Sequence, residues 1–416
     1  MTRTRLRILM VATGTPGIPP KGGGGLERVI YEFTRSLSKL GHRVTLVDTA
    51  SSEERDLRAD LSFCTVVMVH HPNLTRLHSL PFTYLVHELV HQFSLVFYAV
   101  AIIPSLTKLL LSNEYDIIHT HGRYTFIATK FAQFLSGTNL PIILTCHNGS
   151  LMKKRYPLWL KIYWVPEWVA LRLANRITTM SKALKGAITR FALLDKNAAS
   201  KIDVIPNGVD VSVFKQRSPR NYSGDIRIVC VSHIVRIKGQ KYSIESIKLL
   251  RQKGFSNVEL LLAGAVIDFD YYKELINLVR VYNLEQKVKF LGEVPHYKIA
   301  QLLRDADIAI WPSGVEQGMP LSILEYLASG KPVLCRRSPQ LEEILPEGVV
   351  VYFDSMVELV QKIMNLLEDE SLREELQKRG RDFVESNYDW TKIAKMVEVT
   401  YRKTIGETPY AMRVPK

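Results

Sequence analysis

The chain has 416 residues, more than one compact core of ordinary size holds, and this length predicts two domains. Its 46% hydrophobic and 23% charged residues are ordinary globular values and exclude an intrinsically disordered chain. The net charge is +14, and residues 1–215 carry most of it, with 26 Lys and Arg against 14 Asp and Glu. Such a basic half either serves solubility or meets an anionic partner: a phosphate-bearing substrate, an acidic lipid surface or a nucleic acid.

The N-terminal residues and the cysteines favour a cytosolic protein. The first apolar run is about six residues long, shorter than the core of a signal peptide, and it favours a buried first strand. The four cysteines, Cys64, Cys146, Cys230 and Cys335, lie far apart and form no CxxC pair. We expect them to be reduced, buried thiols, and a cysteine-based zinc site is not expected.

Strand-like apolar runs alternate with amphipathic helical segments along the chain. The first set of runs lies at 7–13, 42–49, 64–70, 116–122, 141–149, 176–181 and 202–210. The second set lies at 225–233, 258–264, 288–294, 307–313 and 331–336. A polar, turn-rich segment at 209–225 separates the sets. This alternation predicts an α/β protein with two Rossmann-like domains around a cleft, in which ligands bind at the carboxyl ends of the strands.

Between the third and fourth runs, His87 to His91 reads HELVH and matches the H-E-x-x-H pattern of zinc peptidases. A zinc peptidase also needs a third ligand and its own scaffold, which the rest of the chain does not supply, so we expect no metal site. On a helix the two histidines share one face. That face either packs against the rest of the domain or forms part of a binding surface for a substrate. The apolar run 93–111 that follows is interrupted by Pro104 and Lys108, which favours a buried helix over a transmembrane span.

Two features of the first half are typical of ligand contacts. Gly23 and Gly24 belong to a glycine run between the first strand and a helix, where backbone N–H groups can approach an anion or a sugar. The alternative is a flexible loop. His121 and His147 each follow a strand, at the edge of the sheet where ligands bind, and a neutral imidazole there is either structural or a hydrogen-bonding partner of a sugar hydroxyl.

The second half has two comparable loops. After one strand come His233, Arg236 and Lys238, and Gly264 ends the next strand. The two cations either clamp a diphosphate or are inert, exposed loop residues. After a later strand, a Gly/Pro loop holds Glu316 and Gln317 and continues through Gly318, Met319, Pro320 and Leu321. A helix then carries Glu325 on an apolar face, where a carboxylate needs a partner or a ligand such as a ribose diol.

In this order and spacing, the segments resemble the retaining glycosyltransferases of family four (glycosyltransferase group 1). The resemblance runs from about residue 7 to 403, and its motifs include GGGLERVIYEF, YDIIHTHG, ILTCHNG, IDVIPNGVDVSVF, KGQKYSIESIKLL, ILEYLASGKPVL and YDWTKIAKMVEVTY. It implies the GT-B fold, with an acceptor domain at 1–212 and a donor domain at 213–390. The segment 391–416 then holds a helix that crosses back to the first domain, and a tail.

The resemblance also implies roles for the candidate residues. Lys238 would bind the diphosphate of a nucleotide-sugar donor and Glu325 its ribose, while the 317–321 loop presents backbone N–H groups. Gly23 and Gly24 would line the cleft, and His121 or His147 would contact the transferred sugar. The family needs no metal or other cofactor, because basic residues and helix N-termini stabilise the leaving group.

Two positions depart from the family pattern. His233 stands where the family has an arginine, so either Arg236 supplies the missing charge or His233 does so when protonated. Gln317 stands where the family has a glutamate, so either Glu316 reaches the sugar or Gln317 serves as a neutral hydrogen-bonding group. These departures keep open a catalytically silent nucleotide-sugar-binding protein. A disaccharide synthase or sugar phosphorylase of the same fold is a further alternative.

The expected reaction is front-side displacement, because no dedicated nucleophile is evident, with the acceptor a sugar or a lipid-linked, anionic molecule. Segment 151–176 interleaves basic residues with Trp159, Tyr163, Trp164 and Trp168. That mixture is typical of the headgroup zone of an anionic membrane, although an acceptor-binding surface or a domain face has the same composition. We therefore expect a cytoplasmic enzyme, peripheral on the inner face of a membrane. No nucleic-acid-binding module is recognised, so a nucleic-acid partner is not expected.

Overall fold

The structure is a computed structural model that describes residues 5–14, 17–19, 24–49, 61–71, 84–112, 114–147, 151, 164–215, 225–314 and 318–407, with the backbone alone at 84–89. The chain divides into two compact units. The first unit contains the described residues before Asn207 together with the chain from Trp390 onward, and the second contains Asn207–Asp389.

The first unit is built on one parallel sheet of seven strands in the order β3-β2-β1-β4-β5-β6-β7. The strands are β1 (Arg7–Val11), β2 (Arg43–Thr49), β3 (Thr65–Val69), β4 (Ile117–Thr120), β5 (Ile142–Cys146), β6 (Arg176–Thr179) and β7 (Ile202–Val204). The strands β4 and β5 are buried along their whole length, as expected for a parallel sheet covered on both faces. Val11 is paired with Val47 on one side and Thr120 on the other, so β1 and β4 end at the same level.

Helices connect these strands: α1 (Gly25–Lys39), α2 (Tyr84–Leu111), α3 (Arg123–Ser136), α4 (Val165–Leu173), α5 (Lys182–Phe191) and α6 (Lys196–Ala199). The backbone of α2 includes both histidines of the HELVH segment. Within α2, the stretch Val90–Leu111 is long and apolar enough to cross a membrane, a test that the core helix of a soluble protein also passes.

One face of α2 is buried and the other is not. Tyr98, Ile102, Leu106 and Leu110 recur at intervals of four residues and are fully buried in the core of the first unit. The prediction of a buried helix at 93–111 is therefore confirmed for the face that carries these four residues. It is wrong for the opposite face, where Val100 is 61% exposed.

The second unit repeats the strand order of the first. Its six parallel strands run β10-β9-β8-β11-β12-β13, and they are β8 (Ile226–Val231), β9 (Val258–Ala263), β10 (Val288–Gly292), β11 (Ile308–Trp311), β12 (Val333–Arg336) and β13 (Val351–Phe353). Its helices are α7 (Gln240–Gln252), α8 (Phe269–Val281), α9 (His296–Asp305), α10 (Leu321–Ala328), α11 (Pro339–Glu342), α12 (Met356–Glu368) and α13 (Glu370–Asn387). The strand β13 is not among the sequence predictions, which missed the apolar run at 349–353.

The last helix, α14 (Trp390–Thr404), packs in the first unit. The ring of Trp390 meets Phe33 of α1 edge-on, with ring centroids 5.5 Å apart. Thr400 donates a hydrogen bond to Asp203 of β7 at 3.1 Å. The end of the chain thereby contributes to the core of the first unit. Two sheets of Rossmann strand order confirm the predicted α/β class.

Candidate active site

The strand order locates one crevice in each sheet. From β1 the chain runs outward through β2 to β3 on one side, and it then crosses to β4 on the other side of β1. In the second sheet it runs from β8 through β9 to β10 and then crosses to β11. Helices that leave neighbouring strands in opposite directions leave a crevice outside the carboxyl ends, where ligands bind in such folds. Residues that follow β1 and β4 in the first unit, and β8 and β11 in the second, therefore lie at the crevices.

Two glycines hold the loops of the second crevice in close contact. Gly264, directly after β9, has φ of +151°, and a Cβ there would lie 2.0 Å from the carbonyl oxygen of Ser232. Gly239, between the basic loop and α7, has φ of +70°, and a Cβ there would lie 2.6 Å from the carbonyl oxygen of Pro312. Because neither position accommodates a side chain, the loops after β8, β9 and β11 are fixed against one another.

Lys238 lies at this crevice. It ends a short 3-10 turn that begins at Arg236, and its Nζ is 4.7 Å from the ring centroid of Trp311, the last residue of β11. The hydroxyl of Ser313 donates to the carbonyl oxygen of Ile237 at 3.3 Å, which ties the same turn to the loop after β11. The ammonium is therefore placed between the two strand ends that define the crevice. A cation in this position suits a phosphate group.

His233 and Arg236 are placed differently. Burial lowers the pKa of His233, so the imidazole is neutral at pH 7, and its Nδ1 has no hydrogen-bond partner among the described residues. Arg236 donates to Glu274 of α8 at 2.7 Å and lies over the ring of Tyr271, 4.9 Å from its centroid. Neither of the two suggestions for replacing the family's arginine has support here, because His233 is uncharged and Arg236 is already paired.

Arg336 is a cation that the sequence analysis missed. It ends β12, the strand beside β11, and a Cβ on Gly314 would approach its guanidinium to 3.4 Å. The guanidinium lies 4.5 Å from the ring centroid of Tyr242, in the first turn of α7. Within the described part of the chain no carboxylate pairs with it. Its position at a strand end, which it shares with the other candidates, could have identified it. However, the sequence KPVLCRR has two adjacent arginines there and does not show which one lies at the crevice.

Glu325 lies on α10 as the sequence analysis places it. It is buried, and its Oε1 is 2.8 Å from Nε2 of His296, the first residue of α9. The ring of His296 meets Phe214 edge-on at 5.5 Å. The partner that a carboxylate on this apolar face requires is thus a histidine, which the sequence analysis missed because 29 residues separate the pair.

The N-terminus of α10 is open to a ligand. Pro320 is the N-cap and has no side-chain cap, so the N–H groups of the first turn have no side-chain acceptor. Asn207 donates from Nδ2 to the carbonyl oxygen of Met319 at 3.2 Å and holds the preceding loop. Gly318 and Leu321 flank this loop in the described residues, whereas Gly23, Glu316 and Gln317 lie outside them. The roles of these last three residues remain predictions.

In the first unit, the two histidines predicted at strand ends lie together. Nδ1 of His121 is 3.2 Å from Nε2 of His147, and Nε2 of His121 is 3.1 Å from the sulfur of Met10. His121 is fully buried, and His147 is partly exposed. Of the pair, only His147 presents a surface to a sugar without rearrangement.

A third histidine, His119, completes a buried stack that the sequence analysis did not single out. Its ring centroid is 4.4 Å from that of His121. Its two ring nitrogens are hydrogen-bonded to the hydroxyl of Tyr401 at 2.7 Å and to that of Thr145 at 2.6 Å. Burial lowers the pKa of His119 and of His147 to about 3 and holds that of His121 well below its ordinary value. The stack is therefore neutral, and α14 supports it from behind through Tyr401.

The glycine run has an unexpected acidic neighbour. Gly24 is the N-cap of α1, and Glu27 in the first turn is buried. The hydroxyl of Thr13, just after β1, donates to Glu27 Oε1 at 3.3 Å, and no cation pairs with this carboxyl within the described residues. Burial raises its pKa to about 7. A carboxyl that is partly protonated at neutral pH can donate or accept a hydrogen bond at the β1–β4 crevice.

Two family models match the chain in succession: Glycosyltransferase Family 4 over residues 23–213 and Glycosyl transferases group 1 over residues 213–383. This chain belongs to the family 4, group 1 glycosyltransferases. Together the two matches span residues 23–383, which leaves out β1 and α14. The predicted enzyme class, a glycosyltransferase, is confirmed.

Relatives of this glycosyltransferase are similar over most of their length. One phosphatidylinositol N-acetylglucosaminyltransferase subunit from Arabidopsis thaliana is 22% identical over 96% of this chain and 83% of its own length. The phosphatidylinositol N-acetylglucosaminyltransferase GPI3 subunit of Saccharomyces cerevisiae is 25% identical over 91% of this chain and 79% of its own length.

Solved structures support the fold. HepE from Anabaena, in complex with UDP and glucose, has a TM-score of 0.70 at 19% identity and covers 96% of this chain and 100% of its own. The sucrose-phosphate synthase of Thermosynechococcus elongatus has a TM-score of 0.72 at 19% identity, with 96% and 99% covered. The GT-B fold expected from the resemblance is confirmed for this glycosyltransferase.

Proposed function

We propose that this glycosyltransferase transfers a sugar from a nucleotide-sugar donor to a hydroxyl of a phosphatidylinositol-type lipid, with retention of anomeric configuration. The observation that carries the donor side is the position of Lys238, held over Trp311 between the ends of β8 and β11. The names of the relatives in Arabidopsis and yeast support the acceptor. The first donor to test is UDP-N-acetylglucosamine.

Each candidate residue has a role in this proposal. Lys238 and the open N-terminus of α10 bind the diphosphate, and Glu325, oriented by His296, hydrogen-bonds the ribose diol. His147 contacts the transferred sugar. The bond between the anomeric carbon and the phosphate oxygen breaks while the acceptor oxygen bonds the same face of that carbon. The acceptor proton passes to the departing phosphate oxygen, so the step needs no metal and no enzymatic nucleophile.

The test is a product analysis with UDP-N-acetylglucosamine and phosphatidylinositol vesicles. We expect UDP release together with a glycosylated lipid whose anomeric proton has the coupling constant of the donor sugar. Formation of a sugar 1-phosphate when inorganic phosphate is supplied would instead identify a phosphorylase. Glycosylation of free sugars alone would identify a disaccharide synthase, and donor binding with no product would identify a silent binding protein.

Arg336 is proposed as the second phosphate-binding cation, in place of the family's arginine at position 233. We expect Arg336→Gln to raise the dissociation constant for UDP about 10- to 100-fold, because a charge-assisted hydrogen bond to a phosphate is lost. The matched control is Arg337→Gln. The neighbouring Arg337 is paired with Glu342 at 2.5 Å and Asp354 at 3.0 Å, so its loss leaves UDP affinity unchanged. Titration calorimetry measures both variants, and equal affinities would contradict this assignment.

A further inference from the structure

Three helices of the first unit share an exposed apolar face, here called the α2–α4 surface. On α2, Phe93, Phe97 and Val100 follow one another at spacings of four and three residues, and Phe93 is 57% exposed. On α3, Phe131 and Phe134 have ring centroids 6.4 Å apart, and Phe134 is 79% exposed. More than half of the large exposed apolar side chains in the described residues lie on these helices. So large an apolar surface marks an interaction site rather than a solvated face.

Arg123 joins the three helices into one rigid surface. It is buried at the start of α3, where it donates to Gln92 of α2 at 2.8 Å and to Glu167 of α4 at 3.1 Å. Its guanidinium also lies over the buried ring of Trp164, 5.3 Å from the centroid. Because one buried side chain connects all three helices, their exposed faces hold a constant relation to one another.

The charges around the α2–α4 surface have one sign. Among the described side chains of these helices the only carboxylate is Glu167, which is buried against Arg123. The exposed charges are cations, such as Lys108 on α2 and Arg172 on α4, and Arg172 lies over the ring of Trp168, 5.0 Å from its centroid. A second copy of the same surface would bring like charges together, whereas an anionic leaflet pairs with them.

We propose that the α2–α4 surface docks the enzyme on an anionic lipid bilayer. The aromatic side chains enter the headgroup region, and the cations at the margin pair with lipid phosphates. This inference rests on the proposed lipid acceptor, since an enzyme that takes its acceptor from a bilayer needs a surface that holds it there. It locates the contact on the helices α2 to α4. Of the aromatic residues in the segment 151–176, Trp164 is buried, and 152–163 lie outside the described residues.

The test compares vesicle binding of the full chain and of a double variant, Phe93→Ser with Phe134→Ser. Both positions are exposed, so the melting temperature should stay that of the unaltered protein. We expect the affinity for vesicles of phosphatidylcholine and phosphatidylinositol to fall about a hundredfold, because two phenyl groups are no longer transferred from water into the bilayer. The control pair, Val281→Ser with Val357→Ser, removes exposed apolar side chains from the second unit and should bind as the unaltered protein does.

Activity separates this inference from the proposed function. The double variant should lose glycosylation of phosphatidylinositol in vesicles and keep it on a short-chain, water-soluble phosphatidylinositol. Vesicle binding by the double variant equal to that of the unaltered chain would overturn the inference. So would an unaltered chain that does not bind vesicles but self-associates through this face. If vesicle binding depends on the two phenylalanines but neither lipid is glycosylated, the docking role of the α2–α4 surface is supported. Only the proposed function is then overturned.

Discussion

Replacement of Lys238 by alanine is expected to lower kcat/KM for the nucleotide sugar by about 10²- to 10³-fold, or roughly 3 to 4 kcal/mol of transition-state stabilisation. The ammonium is held over Trp311, between two strand ends, where negative charge accumulates on the departing diphosphate. Water that replaces the side chain provides no fixed charge there. Steady-state kinetics with donor varied at saturating acceptor measure the loss.

The matched control is Lys248→Ala. Lys248 lies on α7 of the same unit and its Nζ is also stacked on an aromatic ring, 4.4 Å from the centroid of Tyr282. It differs from Lys238 in that it is not at the carboxyl end of a strand. Both variants lose a cation–π contact, so a loss of activity confined to Lys238→Ala reports the diphosphate. Turnover that is unchanged in Lys238→Ala would refute the front-side mechanism with this cation.

The second large expected effect is a loss of stability in mild acid, caused by the neutral histidine stack. The folded-state pKa of His147 is about 3, whereas an unfolded histidine titrates near 6.5. A group whose pKa is lowered by folding contributes stability above the unfolded value and loses it as the pH falls toward the folded value. At pH 5 the unfolded chain takes up a proton that the folded chain does not, which costs up to about 2 kcal/mol for each such histidine.

The measurement is chemical denaturation at pH 7.5 and pH 5 for the unaltered chain and for His147→Asn. Glu27 acts in the opposite direction: its folded-state pKa is raised to about 7, so it destabilises the fold above that pH and less so in acid. The difference between the two proteins cancels this contribution. In His147→Asn we expect the free energy of unfolding to fall less between pH 7.5 and pH 5, by up to about 2 kcal/mol. The control His70→Asn replaces an exposed histidine and should behave as the unaltered chain does. Parallel pH dependences in all three proteins would contradict a neutral His147.

Much of the fold and part of the site are readable from the sequence. Strand-like runs of six to nine residues separated by helical segments predicted twelve of the strands, because strands covered on both faces are largely apolar. The remaining strand, β13, was missed although it lies in the apolar run 349–353. His121, His147 and Lys238 were singled out for a related reason: a parallel sheet brings the residues after its strands to one edge. Glu325 was singled out because a carboxylate on the apolar face of a helix needs a partner.

The partners of these residues depend on contacts distant in sequence. Arg236 was expected at the diphosphate, yet Glu274, 38 residues later, holds it. Arg336 and Arg337 are adjacent and chemically identical, and only the fold directs one to Tyr242 and the other to surface carboxylates. No local pattern indicates which carboxylate approaches which cation, because that choice is made when separate helices pack.

The sequence by itself determined two domains of alternating strands and helices, the strand ends that hold the candidate residues, and the glycosyltransferase family. The tertiary structure alone decided the neutral state of the histidine stack, since Tyr401 reaches His119 across 282 residues. It also decided which face of α2 is covered. The residues of that helix are apolar on all sides, so composition cannot distinguish Tyr98, buried against the sheet, from Phe93, left exposed. Burial depends on which elements pack together, and packing is a property of the folded chain.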